Sequence, residues 1–275
     1  MSTVVVIAHH QRDDARILAD DLARWLAANG HAVVLPDEGD RIVPDADLAL
    51  VLGGDGTMLH AVHLLDGAPV PLLGVNMGHL GYLTEVEPGD VHDALQRWEQ
   101  GAEGGRWHLD ERMMLDVTAT SAAGTELGTW RALNEAVVDK QQSGTVHLLV
   151  RIDGEPFTSY AADGLIVATP TGSTAYSLSA RGPIVSPKHR ALLVTPVAPH
   201  MLFDRTLVLD PSEEVVIEVI GAHDVTIAVD GRATCDLTTG AVVRCAPSAA
   251  TASFVRFGER PYHQVLKAKF GLTDR

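Results

Sequence analysis

Short apolar runs and amphipathic stretches alternate along the first hundred residues. Residues 3–8 (TVVVIA) form a β-branched run, the pattern of a first buried strand. Residues 13–29 follow with helical spacing: Ile17, Leu18, Leu22, Trp25 and Leu26 are assigned to one face, Asp13 and Asp14 suit the N-terminal dipole, and Asn29-Gly30 is a stop signal. A second strand is expected over 32–35 and a third over 48–52 (LALVL), a continuous apolar run with the pattern of a strand buried on both faces of a parallel sheet, which runs into Gly53-Gly54-Asp55-Gly56-Thr57. Met58, Ala61, Val62 and Leu65 predict a helix over 57–65, the run VPLLGV a strand over 70–75, and Val91, Leu95 and Trp98 a helix over 91–100. This alternation is that of an α/β domain, assigned to residues 1–107.

From about residue 108 the pattern changes to strand after strand. Strands are expected over 115–120, 130–138, 146–152, 165–168, 191–197, 206–209, 215–220, 225–229 and 241–246. Asp153-Gly154 and Asp230-Gly231 each end an alternating run, the strongest short hairpin signal. An all-β, sandwich-like domain is therefore expected over 108–254, with one helix starting near Thr174. The tail 261–270 (PYHQVLKAKF), with Pro261 at its start and Gly271 after it, reads as a terminal helix in the segment 255–275.

Composition narrows the function without naming it. Nearly half of the 275 residues are apolar (46%), enough for a sizeable core. A net charge of -15 argues against nucleic acid or an anionic membrane as a partner, because both call for basic surface. It leaves room for a phosphorylated small ligand, which needs only local donors and one or two cations. The N-terminal segment has no basic-then-apolar leader pattern and no apolar run is long enough to span a bilayer, so a soluble cytoplasmic protein is expected. Cys235 and Cys245 are too few for a disulfide framework and read as small core residues; no residues are assigned as metal ligands.

Three stretches carry candidate chemistry. Gly53, Gly54 and Gly56 would let the backbone turn sharply at a strand end, through positive φ, and offer N–H groups to an anion beside the Asp55 carboxylate, though a plain strand-to-helix turn has the same form. The loop 76–83 (NMGHLGYL) ends the next strand, so both loops are placed to share one site. Residues 163–183 (DGLIVATPTGSTAYSLSARGP) combine a buried strand, a rigid turn, and Ser173 or Thr174 as the cap of a helix whose N-terminus suits phosphate or ribose; Tyr176 offers an aromatic face. Asn134 and Glu135 put two polar groups side by side in an apolar strand, where neighbours point to opposite faces, so a strand end or bulge facing a ligand is expected.

GGDGT at 53–57, NMGHLGYL at 76–83, NE at 134–135, the stretch 163–183 and VTPVAPH at 194–200 together resemble the NAD kinase family in order and spacing, over almost the whole chain. GGDG is shared with diacylglycerol, sphingosine and 6-phosphofructo-kinases; TPTGSTAYSLSA is far more specific. The resemblance implies a Rossmann-like α/β domain and a β-sandwich-like C-terminal domain, the NAD kinase/diacylglycerol kinase-like architecture, with NAD bound between them and the last helix returning to the first domain. It also implies ATP or polyphosphate as phosphoryl donor, Mg²⁺ or another divalent cation, and a homodimer or homotetramer. Carried over by position, Asp55 would be the general base, and Gly54, Gly56 and Thr57 would hold phosphates and Mg²⁺. His60 would face the NAD, Asn134 and Glu135 would take its adenine and ribose, and Asp163 would sit near its base or nicotinamide end. Thr174, Ala175, Tyr176 and Ser179, with Ala198, would line the pocket.

The chain departs from the family pattern at Arg181-Gly182-Pro183, where Gly-Gly-Pro is common, at Tyr82, where Phe is common, and at Ala161, where an Arg is often found. Lys140 is a candidate substitute for that Arg. Two other functions compete with NAD phosphorylation: a lipid or sugar kinase of the same superfamily, and a non-catalytic nicotinamide-nucleotide sensor. The first would need an apolar cleft or sugar-phosphate cations, which the sequence does not clearly provide, and the intact Asp55 turn argues against the second.

Overall fold

A computed structural model of the chain describes residues 1–36, 45–78, 81–103, 106–259 and 261–272. His79 and Leu80 of the second loop and the end of the tail lie outside the described residues. The chain divides into two compact units, Met1–Glu111 with Ala252–Arg275, and Arg112–Thr251.

In the first unit, β1 (Thr3–Ala8), β2 (Ala32–Val34), β3 (Leu48–Gly53) and β4 (Leu72–Asn76) form a parallel sheet in the order β2-β1-β3-β4. Every residue of β3 and β4 is buried, which is why both read as unbroken apolar runs. Gly53 lies beside Asn76 in the register, so the loops after β3 and β4 leave the sheet at one level. Around the sheet are α1 (Asp13–Ala28), α2 (Asp55–Leu65), α3 (Val91–Glu99) and α5 (Tyr262–Lys269), the last with Val265 buried. Helix α1 buries Ala15, Ala19, Leu22 and Leu26. Ile17, expected on that face, is 69% exposed: two residues from both Ala15 and Ala19, it stands about 200° round the axis from each. Helix α2 starts at Asp55, two residues earlier than the apolar spacing predicts, so the carboxylate belongs to its first turn.

The second unit is built of antiparallel pairs in two sheets. One contains β5 (His108–Thr120), β6 (Glu126–Ala132), β8 (Val146–Ile152), β9 (Glu155–Ala162), β13 (Val215–Val219) and β16 (Val242–Arg256). The other has six strands in the order β12-β11-β10-β7-β14-β15: β7 (Glu135–Lys140), β10 (Gly164–Ala168), β11 (Leu192–Val197), β12 (Leu207–Leu209), β14 (Val225–Val229) and β15 (Arg232–Leu237). Leu115, Val117, Leu148, Val150, Ile217 and Val243 of the first sheet share one core with Val138, Leu165, Val167, Val194 and Ile227 of the second. The expected strand over 130–138 is two strands in different sheets, parted at Leu133 and Asn134. The strand expected over 241–246 is the 15-residue β16, whose polar residues hid its length. Both Asp-Gly turns have positive φ at each residue (49° and 83°; 46° and 78°), the geometry that a tight right-twisted hairpin demands.

The helix expected from Thr174 is a 3₁₀ turn (Thr171–Thr174) and the single turn α4 (Tyr176–Ser179). It closes with Arg181 N–H donating to the Leu178 carbonyl (3.0 Å) and Gly182 N–H to the Ser177 carbonyl (2.8 Å), a Schellman close that places Arg181 at φ 67°. A side chain in that conformation costs ~1–2 kcal/mol, and the extra chain freedom of an unfolded glycine returns part of it. Arg181→Gly, which restores the Gly-Gly-Pro pattern, is therefore expected to stabilise the protein by about 0.5–1 kcal/mol, read as a higher denaturant midpoint. A loss of stability would show that the Arg181 side chain has contacts worth more than its backbone strain.

Candidate active site

The β3–α2 turn brings Asp55 to the N-terminus of a helix, where unpaired N–H groups and the dipole favour negative charge. Its carboxylate is held from the second loop: Tyr82 N–H donates to Oδ2 and Leu83 N–H to Oδ1, both at 2.9 Å. A Cβ on Gly81 would lie 2.4 Å from Oδ1, so the loop approaches this closely only because residue 81 is glycine. The loops after β3 and β4 thus touch at Asp55 itself. The loop is pinned from behind by Arg256, 6% exposed, whose guanidinium donates to the Leu83 and Thr84 carbonyls and to Glu85 and Asp110 carboxylates.

The glycines of the turn act otherwise than through positive φ. Gly54 has φ -105°, and none of Gly53, Gly54 and Gly56 is left-handed. Gly53 is required by packing, since a Cβ there would meet Thr57 Oγ1 at 2.1 Å. Beside Gly54 and Gly56 a Cβ would touch nothing within 4 Å, which leaves the backbone of the turn open to a ligand. Thr57 is 6% exposed and its hydroxyl is buried without a hydrogen-bond partner, so its side chain faces Gly53 instead of the open side of the turn. His60, partly buried, stands five residues along α2, about 140° round the axis from Asp55, and one turn beyond Gly56.

In the second unit the break between β6 and β7 exposes three successive N–H groups, and Asp230 takes all of them. Leu133 N–H and Asn134 N–H donate to its two carboxylate oxygens (2.8 and 2.7 Å), and Glu135 N–H to Oδ1 (3.1 Å). Asp230, 9% exposed, sits in the tight turn between β14 and β15, the one role its Asp-Gly dipeptide predicts from sequence. The Thr169–Gly172 segment packs on the same place: Thr169 N–H donates to the Asn134 carbonyl (2.8 Å), and a Cβ on Gly172 would come 2.1 Å from that oxygen. Two of the sequence motifs, separated by some thirty residues, are thus one piece of structure.

Glu135 is 5% exposed, accepts the Tyr176 backbone N–H, and keeps Oε2 buried with no partner. Burial first, and the Asp230 charge second, push its carboxyl up to about 8, so at neutral pH it carries a proton and can donate from that oxygen. Tyr176 stands at the start of α4, 37% exposed, near enough to Asp139 and Asp163 to sense both charges, which after burial raise its phenol. Lys140 Nζ lies 2.7 Å from Asp163 Oδ1, so a cation stands beside Asp163 although residue 161 is alanine. Ala175 joins the two turns of the motif, Ser179 ends α4 exposed, and Ala198, exposed at φ 43°, follows β11. Ser173 and Thr174 do not cap a helix as expected. Ser173 Oγ is fully buried between the Pro170 and Val185 backbones and Thr174 Oγ1 bonds the Thr171 carbonyl, because a four-residue helix leaves their hydroxyls to the preceding turn.

Among the described residues no group of three His, Cys, Asp or Glu side chains is placed to hold a metal ion. Cys245 is buried, Cys235 partly so, and both are free thiols.

Residues 40–102 match the ATP-NAD kinase N-terminal domain and residues 133–257 the ATP-NAD kinase C-terminal domain. The NAD kinase of Acidobacterium capsulatum is 38% identical over the whole of both chains. Among solved structures, yeast NADH kinase complexed with NADH superposes with a TM-score of 0.86 at 25% identity, over 100% of this chain and 89% of that one. An NAD kinase from Archaeoglobus fulgidus in complex with ATP shares the fold, with a TM-score of 0.75 at 22% identity over 99% of each chain. With both domains matched in order and a relative this similar along its full length, the chain belongs to the NAD kinase family.

Proposed function

We propose that this protein is an NAD kinase, which transfers the γ-phosphoryl group of ATP to the 2′-hydroxyl of the adenosine ribose of NAD. The observation that carries the reading is the Asp55 carboxylate, fixed by two backbone N–H groups at a helix N-terminus whose glycine backbone is open. In this reading Asp55 is the general base. The 2′-oxygen forms a bond to the γ-phosphorus, the bond from that phosphorus to the β–γ bridging oxygen breaks, the hydroxyl proton passes to Asp55, and ADP leaves with the electron pair. Phosphoryl transfer has a loose transition state in which the hydroxyl proton leaves late, so a carboxylate held in place serves although it is a weak base. The N–H groups of the Gly54–Gly56 turn would hold donor phosphates.

Asp55 alone suits a divalent ion brought in on the donor's phosphates, the usual manner of Mg²⁺, which would supply charge neutralisation there. In the second unit, Asn134 and the protonated Glu135 would bind the ribose and adenine of NAD, with Tyr176, Ala175, Thr174, Ser179 and Ala198 lining the pocket and Asp163 with Lys140 at the base or nicotinamide end. Residues 1–107 with the returning segment 255–275 would carry phosphoryl transfer, and 108–254 nucleotide recognition. A cytoplasmic homodimer or homotetramer belongs to the same proposal.

A matrix of donors (ATP, polyphosphate) against acceptors (NAD, NADH, a diacylglycerol, a hexose phosphate) on the purified protein, read by chromatography of the products, tests it. NADP from ATP and NAD is expected. Phosphorylation of the lipid or sugar in its place, or nucleotide binding without turnover, would overturn it.

A further inference from the structure

The Asp55 carboxylate has a third neighbour that the turn motif does not contain. Lys269, the last residue of α5, brings its ammonium 3.6 Å from Oδ2, the same oxygen that accepts the Tyr82 N–H. That nitrogen also lies 4.3 Å from the centroid of the Tyr82 ring, and the Tyr262 ring from the start of α5 packs against Tyr82 at 6.5 Å. A lysine in the last turn of a helix is ordinary, since it suits the dipole there. One directed onto a carboxylate and an aromatic face about two hundred residues away in sequence is not.

Three features of the contact suit a cation that changes partners. At 3.6 Å the pair is beyond hydrogen-bond length, so the attraction is electrostatic and, among the described residues, the ammonium's three N–H donors remain available. Lys269 and Asp55 side chains are 27% and 31% exposed, so an incoming ligand can reach both. The flexible four-carbon stem carries a compact charge, which can pivot about its contact with Tyr82. The site also needs such a charge. A triphosphate drawn to the open Gly54–Gly56 backbone arrives beside the anionic Asp55, and the sequence has no G-x-x-x-x-G-K-[ST] lysine to receive it.

We propose that Lys269 is a ligand of the donor phosphates. In the free protein its ammonium rests on Asp55 and Tyr82; with the donor bound it turns to phosphate oxygens, and Oδ2 of Asp55 is released to meet the acceptor hydroxyl. The inference rests on the kinase reading above and adds to it the residue that receives the donor's charge.

Initial rates of wild type, Lys269→Met and Lys269→Arg, with ATP and NAD varied separately, test it. Lys269→Met is expected to raise the KM for ATP about tenfold while the KM for NAD stays within twofold, and Lys269→Arg to recover most of the loss. Calorimetric titration with inorganic tripolyphosphate supplies a readout independent of turnover, with weaker binding expected for the methionine variant. Equal tripolyphosphate affinity in wild type and Lys269→Met, or a rise in KM for NAD as large as that for ATP, would overturn the role of Lys269. A wild type that binds tripolyphosphate through Lys269 and makes no NADP would overturn the kinase reading and leave the phosphate site standing.

Discussion

Asp55→Asn is expected to lower NADP formation by about 10²–10⁴-fold, the usual contribution of a positioned general base. Asparagine nearly matches the carboxylate in shape, but it has one acceptor oxygen where Asp55 uses two. If its oxygen keeps Leu83 N–H, its amide must face Tyr82 N–H, a donor against a donor, and the charge opposite Lys269 is gone. The variant therefore removes the base and loosens the loop together, and the two effects need separating. Gly81→Ala does so from the other side, because it leaves the carboxylate chemically intact and drives a methyl to 2.4 Å from Oδ1. A large fall in kcat for both, with circular dichroism showing the fold retained and only a modest loss of melting temperature, is the expected result. Near wild-type turnover in Asp55→Asn would show that another group takes the proton.

How much of this was readable beforehand depends on whether a feature is local. The parallel strands were, because burial on both faces forces continuous apolar runs such as 48–52. The hairpins at Asp153-Gly154 and Asp230-Gly231 were, because their positive φ values select those residues. The start of α2 was misplaced by two residues since it follows from backbone geometry after Gly54, not from apolar spacing. Ile17 is exposed because the buried face is set by the small residues Ala15 and Ala19, which apolar bulk does not mark. The stretch 130–138 ends one strand and starts another where the polar pair Asn134-Glu135 predicts an end or bulge, but its division between two sheets is not local, since the N–H of Leu133 belongs to Asp230. The motif residues of the candidate site stood out by their composition, but what holds them did not. Lys269 on Asp55, Arg256 behind the second loop and Asp230 under Asn134 and Glu135 are joined to their partners across about 100 to 200 residues of chain. Nothing in the local spacing of a charged residue records a partner so distant.

Asp230 carries the largest expected effect on stability. Asp230→Ala strips three N–H groups, the buried ones of Leu133 and Glu135 and the partly buried one of Asn134, of their acceptor at once. Such groups cost about 1–3 kcal/mol each when left unmade, and water entering the gap relieves part of the total, so a loss of about 3 kcal/mol or more is expected in the denaturant midpoint. Because the same bonds hold Asn134 in the break and set where Glu135 begins β7, the surviving folded fraction should show a raised KM for NAD with the KM for ATP less affected. Asp230→Asn separates charge from structure. It keeps one acceptor oxygen and removes the negative charge that, after burial, holds the Glu135 carboxyl up at about 8. Since the folded value lies above the unfolded one of about 4.5, the folded state binds the extra proton between them. The stability due to Glu135 is thus fully present below about pH 4.5 and lost as pH rises through about 8. In Asp230→Asn that decline should move to lower pH, because one of its two causes is gone and burial remains. Stability measured across pH 5–9 for both proteins checks this. An unmoved profile would mean that Asp230 acts on Glu135 only through the backbone it holds, and that desolvation alone keeps the carboxyl protonated.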